Sequence, residues 1–189
     1  YGKGALTQEL ARKIVGTGKP IFVDAKPHWH WYAGLNVTIF PNDREAGTAP
    51  TVIDPTQVFH SCEYGRIVHK LGKDGCRLQE PGRDIRLPAT VSEVVDVCGA
   101  GDTFMAAFVY AWSIQLPTEC CLAFANILAG ESCRHLGTWL APRQYATEVL
   151  DTIRAARASA PHSLLSSLGS MRSKIPRPPQ PDQISRASE

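Results

Sequence analysis

The sequence predicts an α/β protein with a mostly parallel sheet and helices on both of its faces. Short runs of β-branched and aromatic residues, such as those at 21–24 and 66–71, alternate with segments of helical periodicity. Because parallel strands require long crossover connections, which are usually helical, this alternation is typical of βαβ units. The length of 189 residues, with 43% hydrophobic and 20% charged residues, fits one globular domain of ordinary composition.

The amino-terminal elements follow from the spacing of apolar residues. An amphipathic helix is predicted over 6–18, because Leu6, Leu10 and Ile14 fall on one face. Strands are predicted at 20–24, 37–40, 66–71 and 76–79, with a turn over 72–75 between the last two.

The carboxyl-terminal part is predicted to be largely helical. A β-branched run predicts one more strand at 91–97, which would lead into a glycine-rich segment. Helices are predicted at about 103–115, 118–135 and 142–157. From residue 159 onward prolines and serines are frequent and apolar residues are few. The segment 159–189 cannot bury enough surface to offset its ordering entropy, so we expect a disordered tail.

Composition excludes several classes of partner. The net charge of +2 gives no reason to expect nucleic acid or an anionic membrane surface. We find no apolar run near the ~20 residues that span a bilayer, and no targeting pattern opens the chain. The six cysteines form no CxxC pair, which favours reduced thiols in a cytoplasmic protein.

The segment DVCGAGDT, residues 96–103, is the most informative stretch of the chain. Gly99 and Gly101 stand at a predicted strand-to-helix junction, where unobstructed backbone N–H groups meet the positive end of a helix dipole. Such a junction suits a phosphate or a developing anion. Asp102 follows in the first helical turn, where a carboxylate can accept the proton of an attacking hydroxyl. Taken alone, the motif also fits a glycine turn capped by an aspartate.

Other polar segments follow predicted strands in the same way. In parallel sheets, ligands bind beyond the carboxyl ends of the strands. The positions with this placement are Asp24 and Lys26, Asn42 and Glu45, Gly72, and the segment 99–102. We therefore expect one ligand site at this edge of the sheet.

These segments carry a family resemblance. DVCGAGD resembles the D-T-x-G-A-G-D signature of the ribokinase-like (PfkB) sugar kinases, with Val97 where Thr is usual. The segments YGKGALTQEL, IFVDAK, PNDREA, KLGKDG and ANILAGESCRHLGT follow in an order similar to the bacterial D-glycero-β-D-manno-heptose-7-phosphate kinases. The similarity runs from Tyr1 to about Tyr145. It implies a ribokinase-like fold and the ATP- and Mg²⁺-dependent phosphorylation of a sugar or sugar phosphate.

The resemblance assigns the catalytic roles to the glycine-rich segment. It implies that Asp102 is the catalytic base and that the amides of Gly99, Ala100 and Gly101 hold the transferred phosphoryl group.

The segment PNDREA resembles the N-x-x-E of the family, which covers Asn42, Asp43, Arg44 and Glu45 on the nucleotide side. Glu45 would hold Mg²⁺ through water, and Asn42 would approach the phosphates. The alternative is a helix-capping box formed by the same two residues, and both roles can hold together. Gly47 and Pro50 predict that the helix after this motif is short.

Further nucleotide contacts are carried over from the same resemblance. Lys26 matches a D-x-K in which Ala25 replaces the usual Pro; a solvated lysine at the strand end is the alternative. Gly72 and Gly75 resemble a T-x-G-x-x-G nucleotide turn, with Lys70 where Thr is common. The remaining positions are Lys3, matched through Tyr-x-Lys-Gly, and Asn126 on the adenine side, for which a structural polar residue is the alternative.

The aromatic segment 28–31, HWHW, suggests a metal or stacking site. Two histidines without a partnering cysteine or carboxylate cluster are weak evidence for zinc, so we favour an aromatic loop.

The match to the family begins inside an internal motif. The resemblance therefore implies that residues 1–158 are the carboxyl-terminal, nucleotide-binding part of a kinase domain. The amino-terminal half, a β lid with most of the sugar contacts, and a homodimer contact through that lid would lie outside it. The alternatives are a kinase for another sugar or nucleoside, or a non-catalytic remnant that binds nucleotide or nothing.

Overall fold

The computed structural model describes residues 7–24, 29–32, 35–47, 65–91, 93–159 and 175. They belong to two compact units, an amino-terminal unit Tyr1–Ala89 and a carboxyl-terminal unit Thr90–Glu189.

The amino-terminal unit contains a five-stranded sheet. Its strands are β1 (Phe22–Val23), β2 (Thr38–Ile39), β3 (Arg66–Lys70), β4 (Cys76–Glu80) and β5 (Arg83–Leu87). They lie side by side in chain order, β1, β2 and β3 parallel, then β4 and β5 antiparallel. The helices of this unit are α1 (Gln8–Val15) and α2 (Asp43–Gly47), with 3-10 turns at Trp29–Tyr32 and Gly72–Asp74. The predicted α/β class is confirmed, and the sheet is mixed.

Strand β5 is an element that we did not predict. Its residues alternate, with Ile85 and Leu87 buried and Asp84 and Arg86 exposed. A Pro81-Gly82 turn joins it to β4, and Gly82 has a φ of 72°. This alternation beside a Pro-Gly turn is an ordinary hairpin signal, so the strand was readable from the sequence.

A small apolar core joins α1 to the sheet. Its buried residues are Ala11, Tyr32, Val37, Ile39 and Ile67. The Thr7 hydroxyl accepts a hydrogen bond from the Leu10 N–H at 3.2 Å and caps the helix. Burial raises the pKa of Tyr32. Of the aromatic segment 28–31, Trp31 packs against this core beside Tyr32, whereas His28 lies outside the described residues.

Three helices form the described core of the carboxyl-terminal unit. They are α3 (Ala100–Ser113), α4 (Thr118–Ser132) and α5 (Arg143–Ser159), close to the predicted bounds. Helix α3 packs on α4, and α4 packs on α5. Helix α4 is buried without interruption from Cys120 to Leu128. Over the described residues we find no helix with the length and apolar character needed to cross a bilayer.

The strand predicted at 91–97 is wrong. Its described residues form no strand, and Val94, Val95 and Val97 are 56%, 64% and 67% exposed. The backbone N–H groups of Val95 and Asp96 donate instead to the Cys133 carbonyl, at 2.8 and 3.2 Å. Valine favours strands because its branched side chain packs well on a half-buried sheet. The described residues of this segment belong to no sheet, so that preference does not apply. Apart from Ile175, the tail beyond Ser159 lies outside the described residues.

Candidate active site

The glycine-rich segment forms the amino-terminal turn of α3. Gly99 caps the helix in the left-handed conformation, with φ 73° and ψ 0°, which favours glycine. A Cβ atom there would also stand 3.3 Å from Cγ2 of Thr138. The Thr103 N–H donates to the Gly99 carbonyl at 2.8 Å and closes the first turn. Backbone conformation and a close neighbour therefore both explain glycine at this position.

The backbone N–H groups of this turn differ in whether they have a hydrogen-bond acceptor. Ala100 donates to the Val97 carbonyl at 3.2 Å, whereas Gly101 and Asp102 have no N–H acceptor among the described residues. Unpaired N–H groups at the start of a 14-residue helix coincide with the positive end of its dipole. The turn can therefore accept an anion such as a phosphoryl group.

Asp102 stands in this first turn with an exposed side chain. Within the described part of the chain, no hydrogen bond or ion pair engages its carboxylate. A carboxylate left available beside unpaired amides has the geometry of a general base next to an anion site.

Asp96 positions this turn, and we had not assigned it a role. Its Oδ1 accepts from the Cys98 N–H at 3.0 Å, and its Oδ2 accepts from the Gly137 N–H at 2.8 Å. The hydrogen bond from Gly137, and then that from Cys98, lowers the pKa of Asp96. The sequence feature that could have indicated this role is the position of Asp96 as the first residue of the segment 96–103.

The N-x-x-E motif forms a reciprocal pair in the amino-terminal unit. The Glu45 N–H donates to Oδ1 of Asn42 at 2.9 Å, and the Asn42 N–H donates to Oε2 of Glu45 at 3.0 Å. This is a capping box, so the structural alternative holds. Helix α2 ends at Gly47 and is as short as predicted. The box fixes the Glu45 carboxylate, which leaves the metal role open.

The two residues inside the motif have different surroundings. The Asp43 side chain is 67% exposed, yet its Oδ1 lies 3.1 Å from Nε2 of the buried His69 on β3. The contact is close, but Nε2 of His69 lacks hydrogen-bond geometry to any described partner. Desolvation lowers the pKa of His69, and the Asp43 charge opposes that shift. Arg44 is exposed.

An ion pair links the strand ends of the same edge. Nζ of Lys70, at the end of β3, lies 3.1 Å from Oδ1 of Asp24, which directly follows β1. Asn42 forms a parallel bridge with Lys70, whose N–H donates to the Pro41 carbonyl at 2.9 Å. The structure thus brings Asp24, Asn42 and Lys70 together, whereas Lys3 and Lys26 lie outside the described residues.

The predicted nucleotide turn connects β3 to β4. Gly72 has a φ of 55°, and no atom lies within 4 Å of where its Cβ would stand. Gly75 has a φ of 92°, and a Cβ there would overlap the Leu87 carbonyl oxygen. Gly75 is therefore required by packing, and Gly72 leaves an open backbone that a ligand can approach.

Asn126 lies in the middle of α4 and is 8% exposed. Its carbonyl accepts from the Thr90 hydroxyl at 3.2 Å. The adenine contact stays a prediction.

The donor set at the edge of the sheet suits a hard cation. Among the described residues, no group of three or more His, Cys, Asp or Glu could hold a metal ion. Magnesium in phosphoryl-transfer sites is usually held by one or two carboxylates together with substrate phosphates. Glu45, an oxygen donor fixed by its capping box, meets that requirement.

Comparison with known proteins assigns the family. The sequence pattern of the pfkB family carbohydrate kinases matches residues 6–144. This chain belongs to that family.

Curated relatives of this pfkB family chain are named bifunctional protein HldE. That of Nitratiruptor sp. is 29% identical over 166 residues, which cover 82% of this chain and 36% of the relative. The protein of that name from Rhodospirillum rubrum is 30% identical over 175 residues, which cover 85% of this chain and 34% of the relative. The chain spans about a third of the length of these relatives.

Solved structures confirm the ribokinase-like fold. Arabidopsis thaliana ribokinase, complexed with ribose and ATP, is 25% identical with a TM-score of 0.64 over 76% of this chain and 51% of that one. Ribokinase from Thermotoga maritima is 21% identical, with a TM-score of 0.67 over 78% and 55%. The ribokinase-like fold that the sequence predicts is therefore the fold of this chain.

Proposed function

We propose that this chain is the nucleotide-binding part of a kinase that transfers the γ-phosphoryl group of ATP to a sugar phosphate hydroxyl. The first candidate acceptor is D-glycero-β-D-manno-heptose 7-phosphate, at its 1-hydroxyl. One observation carries the proposal: the first turn of α3 places the available Asp102 carboxylate beside the unpaired N–H groups of Gly101 and Asp102.

The reaction needs positioning and charge stabilisation more than covalent chemistry. In the proposed step, Asp102 accepts the proton of the sugar hydroxyl as its oxygen attacks the γ-phosphorus. The unpaired N–H groups of Gly101 and Asp102, with the helix dipole behind them, stabilise the charge of the transferred group. Asp96 holds this turn through Cys98 and Gly137, so that the amides do not have to reorganise.

Magnesium fits the same proposal. When bound, it would neutralise phosphate charge, and Glu45 would hold it through water while Asn42 approaches the phosphates. The capping box fixes Glu45 before ligand binds, which lowers the entropic cost of assembling the site.

The choice of acceptor rests on the relatives. The HldE proteins match most of this chain at 29–30% identity, and the ordered segments resemble heptose-phosphate kinases. A soluble cytoplasmic enzyme is proposed with it. Another sugar or a nucleoside is the alternative acceptor, since the residues that select it are expected outside this chain.

A coupled ADP-release assay with Mg·ATP tests the proposal on the full-length protein and on residues 1–189. The panel contains heptose 7-phosphate, ribose and a nucleoside. We expect turnover with heptose 7-phosphate by the full-length protein, and weak Mg·ATP binding with little or no transfer by residues 1–189. Turnover with another acceptor alone would replace the substrate, and efficient turnover by residues 1–189 would contradict the assignment to a nucleotide-binding part.

If neither protein binds nucleotide, the kinase proposal itself is contradicted. The remaining hypothesis is then a non-catalytic remnant of such a kinase.

A further inference from the structure

The Lys70 side chain forms an ion pair with Asp24 across an intervening strand, at the carboxyl edge of the sheet. Its strand, β3, and the strand before Asp24, β1, are separated by β2. Adjacent strands lie about 4.8 Å apart, so the Lys70 side chain reaches across the end of β2 to meet Asp24 at 3.1 Å. The Lys70 side chain is 13% exposed and that of Asp24 is 24% exposed. The ammonium is therefore fixed by Asp24 at this edge of the sheet and retains a path to solvent.

The ammonium is not saturated by this contact. A lysine ammonium has three donor hydrogens. Among the described residues, Asp24 is the one partner of Nζ, which leaves two donors unused. The exposed part of the side chain lets water reach these donors. An anionic group that replaces this water would form charge-assisted hydrogen bonds with the ammonium.

We propose that Lys70 is a phosphate-binding residue which Asp24 holds in place, an inference that rests on the proposed kinase function. The phosphate belongs to the nucleotide or to the phosphorylated acceptor, since both offer the same oxygen chemistry. Lys70 lies beside Asn42 in an isolated parallel bridge, so this ammonium and the capping box of α2 share one edge. Asp24 fixes the lysine side chain and thereby reduces the rotamer entropy lost when the phosphate binds.

A purely structural ion pair would behave differently. Removing either partner of such a pair breaks the same contact, so Lys70→Met and Asp24→Asn would have similar effects. A phosphate ligand separates the two variants. Lys70→Met removes the charge that binds, whereas Asp24→Asn keeps that charge and removes only the carboxylate that positions it.

Calorimetry on the full-length protein tests this with two ligand pairs, Mg·ATP against adenosine and heptose 7-phosphate against the unphosphorylated heptose. We expect Lys70→Met to weaken binding of one phosphorylated ligand by about tenfold or more and to leave its unphosphorylated counterpart within about twofold. The pair that responds identifies the source of the phosphate. Asp24→Asn keeps the lysine charge and removes only its positioning, so it should weaken binding of that phosphorylated ligand clearly less than Lys70→Met does.

Arg66→Met is the matched control, because Arg66 forms a half-buried ion pair with Glu80 at the opposite end of β3, at 2.8 Å. It should change thermal stability without changing phosphate affinity. Equal losses for Lys70→Met and Asp24→Asn, or no loss for Lys70→Met, would overturn the inference while the wild type still binds Mg·ATP. A wild type that binds neither phosphorylated ligand would overturn the proposed function, and this inference with it.

Discussion

Oδ2 of Asp96 accepts a hydrogen bond from the backbone N–H of Gly137, 41 residues further along the chain, at 2.8 Å. Gly137 has a φ of 73°, so the turn after α4 presents its N–H through a conformation that favours glycine. Through its other oxygen Asp96 also holds Cys98, one residue before the Gly99 cap. One carboxylate thus ties the turn after α4 to the turn that begins α3.

We expect Asp96→Ala to loosen the turn at the start of α3 and Asp96→Asn to do so partially, because asparagine keeps a single acceptor oxygen. Amide hydrogen exchange should speed up at Cys98 and Gly137 in the order wild type, Asn, Ala. Glu93→Gln, an exposed change three residues earlier, is the control. Unchanged protection in Asp96→Ala would show that backbone contacts alone hold the turn.

Asp102→Asn should lower kcat of the full-length protein by about 100-fold or more and change the affinity for ATP little, because a lost general base typically costs 10²–10⁴. Steady-state kinetics and calorimetry measure the two quantities. Asp151→Asn, at an exposed position on α5, controls for the loss of a surface charge. Near-normal turnover by Asp102→Asn would remove this residue from the reaction.

Substitutions at Glu45 separate its capping role from its proposed metal role. Glutamine also serves in a capping box but carries no charge, so Glu45→Gln should keep the melting temperature and raise the Mg²⁺ concentration needed for half-maximal activity. Glu45→Ala should impair both, with a loss of about 1 kcal/mol in stability. A Glu45→Gln protein with wild-type Mg²⁺ dependence would leave only the capping role.

The buried His69 should make stability depend on pH. Desolvation lowers its pKa below the ordinary value of 6.5, so the unfolded chain binds more protons under acidic conditions. The stabilising contribution is complete above that value and is lost as the pH falls toward the folded pKa. Thermal melts should therefore show a lower melting temperature at about pH 5.5 than at about pH 7.5. His69→Gln should reduce this difference, and an imidazole that titrates above 6.5 by NMR would reverse the prediction.

Removal of residues 160–189 should leave the melting temperature of the core unchanged, because the segment is rich in proline and serine and α5 already ends at Ser159. Differential scanning calorimetry of the shortened chain measures this. Truncation before Val149 is the contrasting case, since Val149, Leu150 and Ile153 of α5 are buried and their loss should unfold the unit. A lower melting temperature after removal of 160–189 would reveal a docked segment.

Local patterns predicted much of the fold and the candidate site. The apolar spacing gave the positions of α3, α4 and α5 within a few residues. The Asn42–Glu45 spacing predicted the capping box that the structure contains. These features depend on contacts between residues three or four apart, which the chain order itself specifies.

The errors have a common origin. The valines near 95 look like a strand, yet no neighbouring strand pairs with them among the described residues, and they are exposed. Strand β5 was not predicted, although its alternation and its Pro81-Gly82 turn are readable from the sequence. Strand propensity describes how a side chain fits a sheet and cannot specify which segments pair.

The sequence by itself determined the family and the approximate bounds of the three carboxyl-terminal helices. Tertiary structure alone decided that Asp96 meets Gly137, that Lys70 crosses β2 to reach Asp24, and that His69 is buried against Asp43. The partners in the first two pairs are separated by 41 and 46 residues. Contacts at that range depend on strand order and helix packing, which no local periodicity encodes.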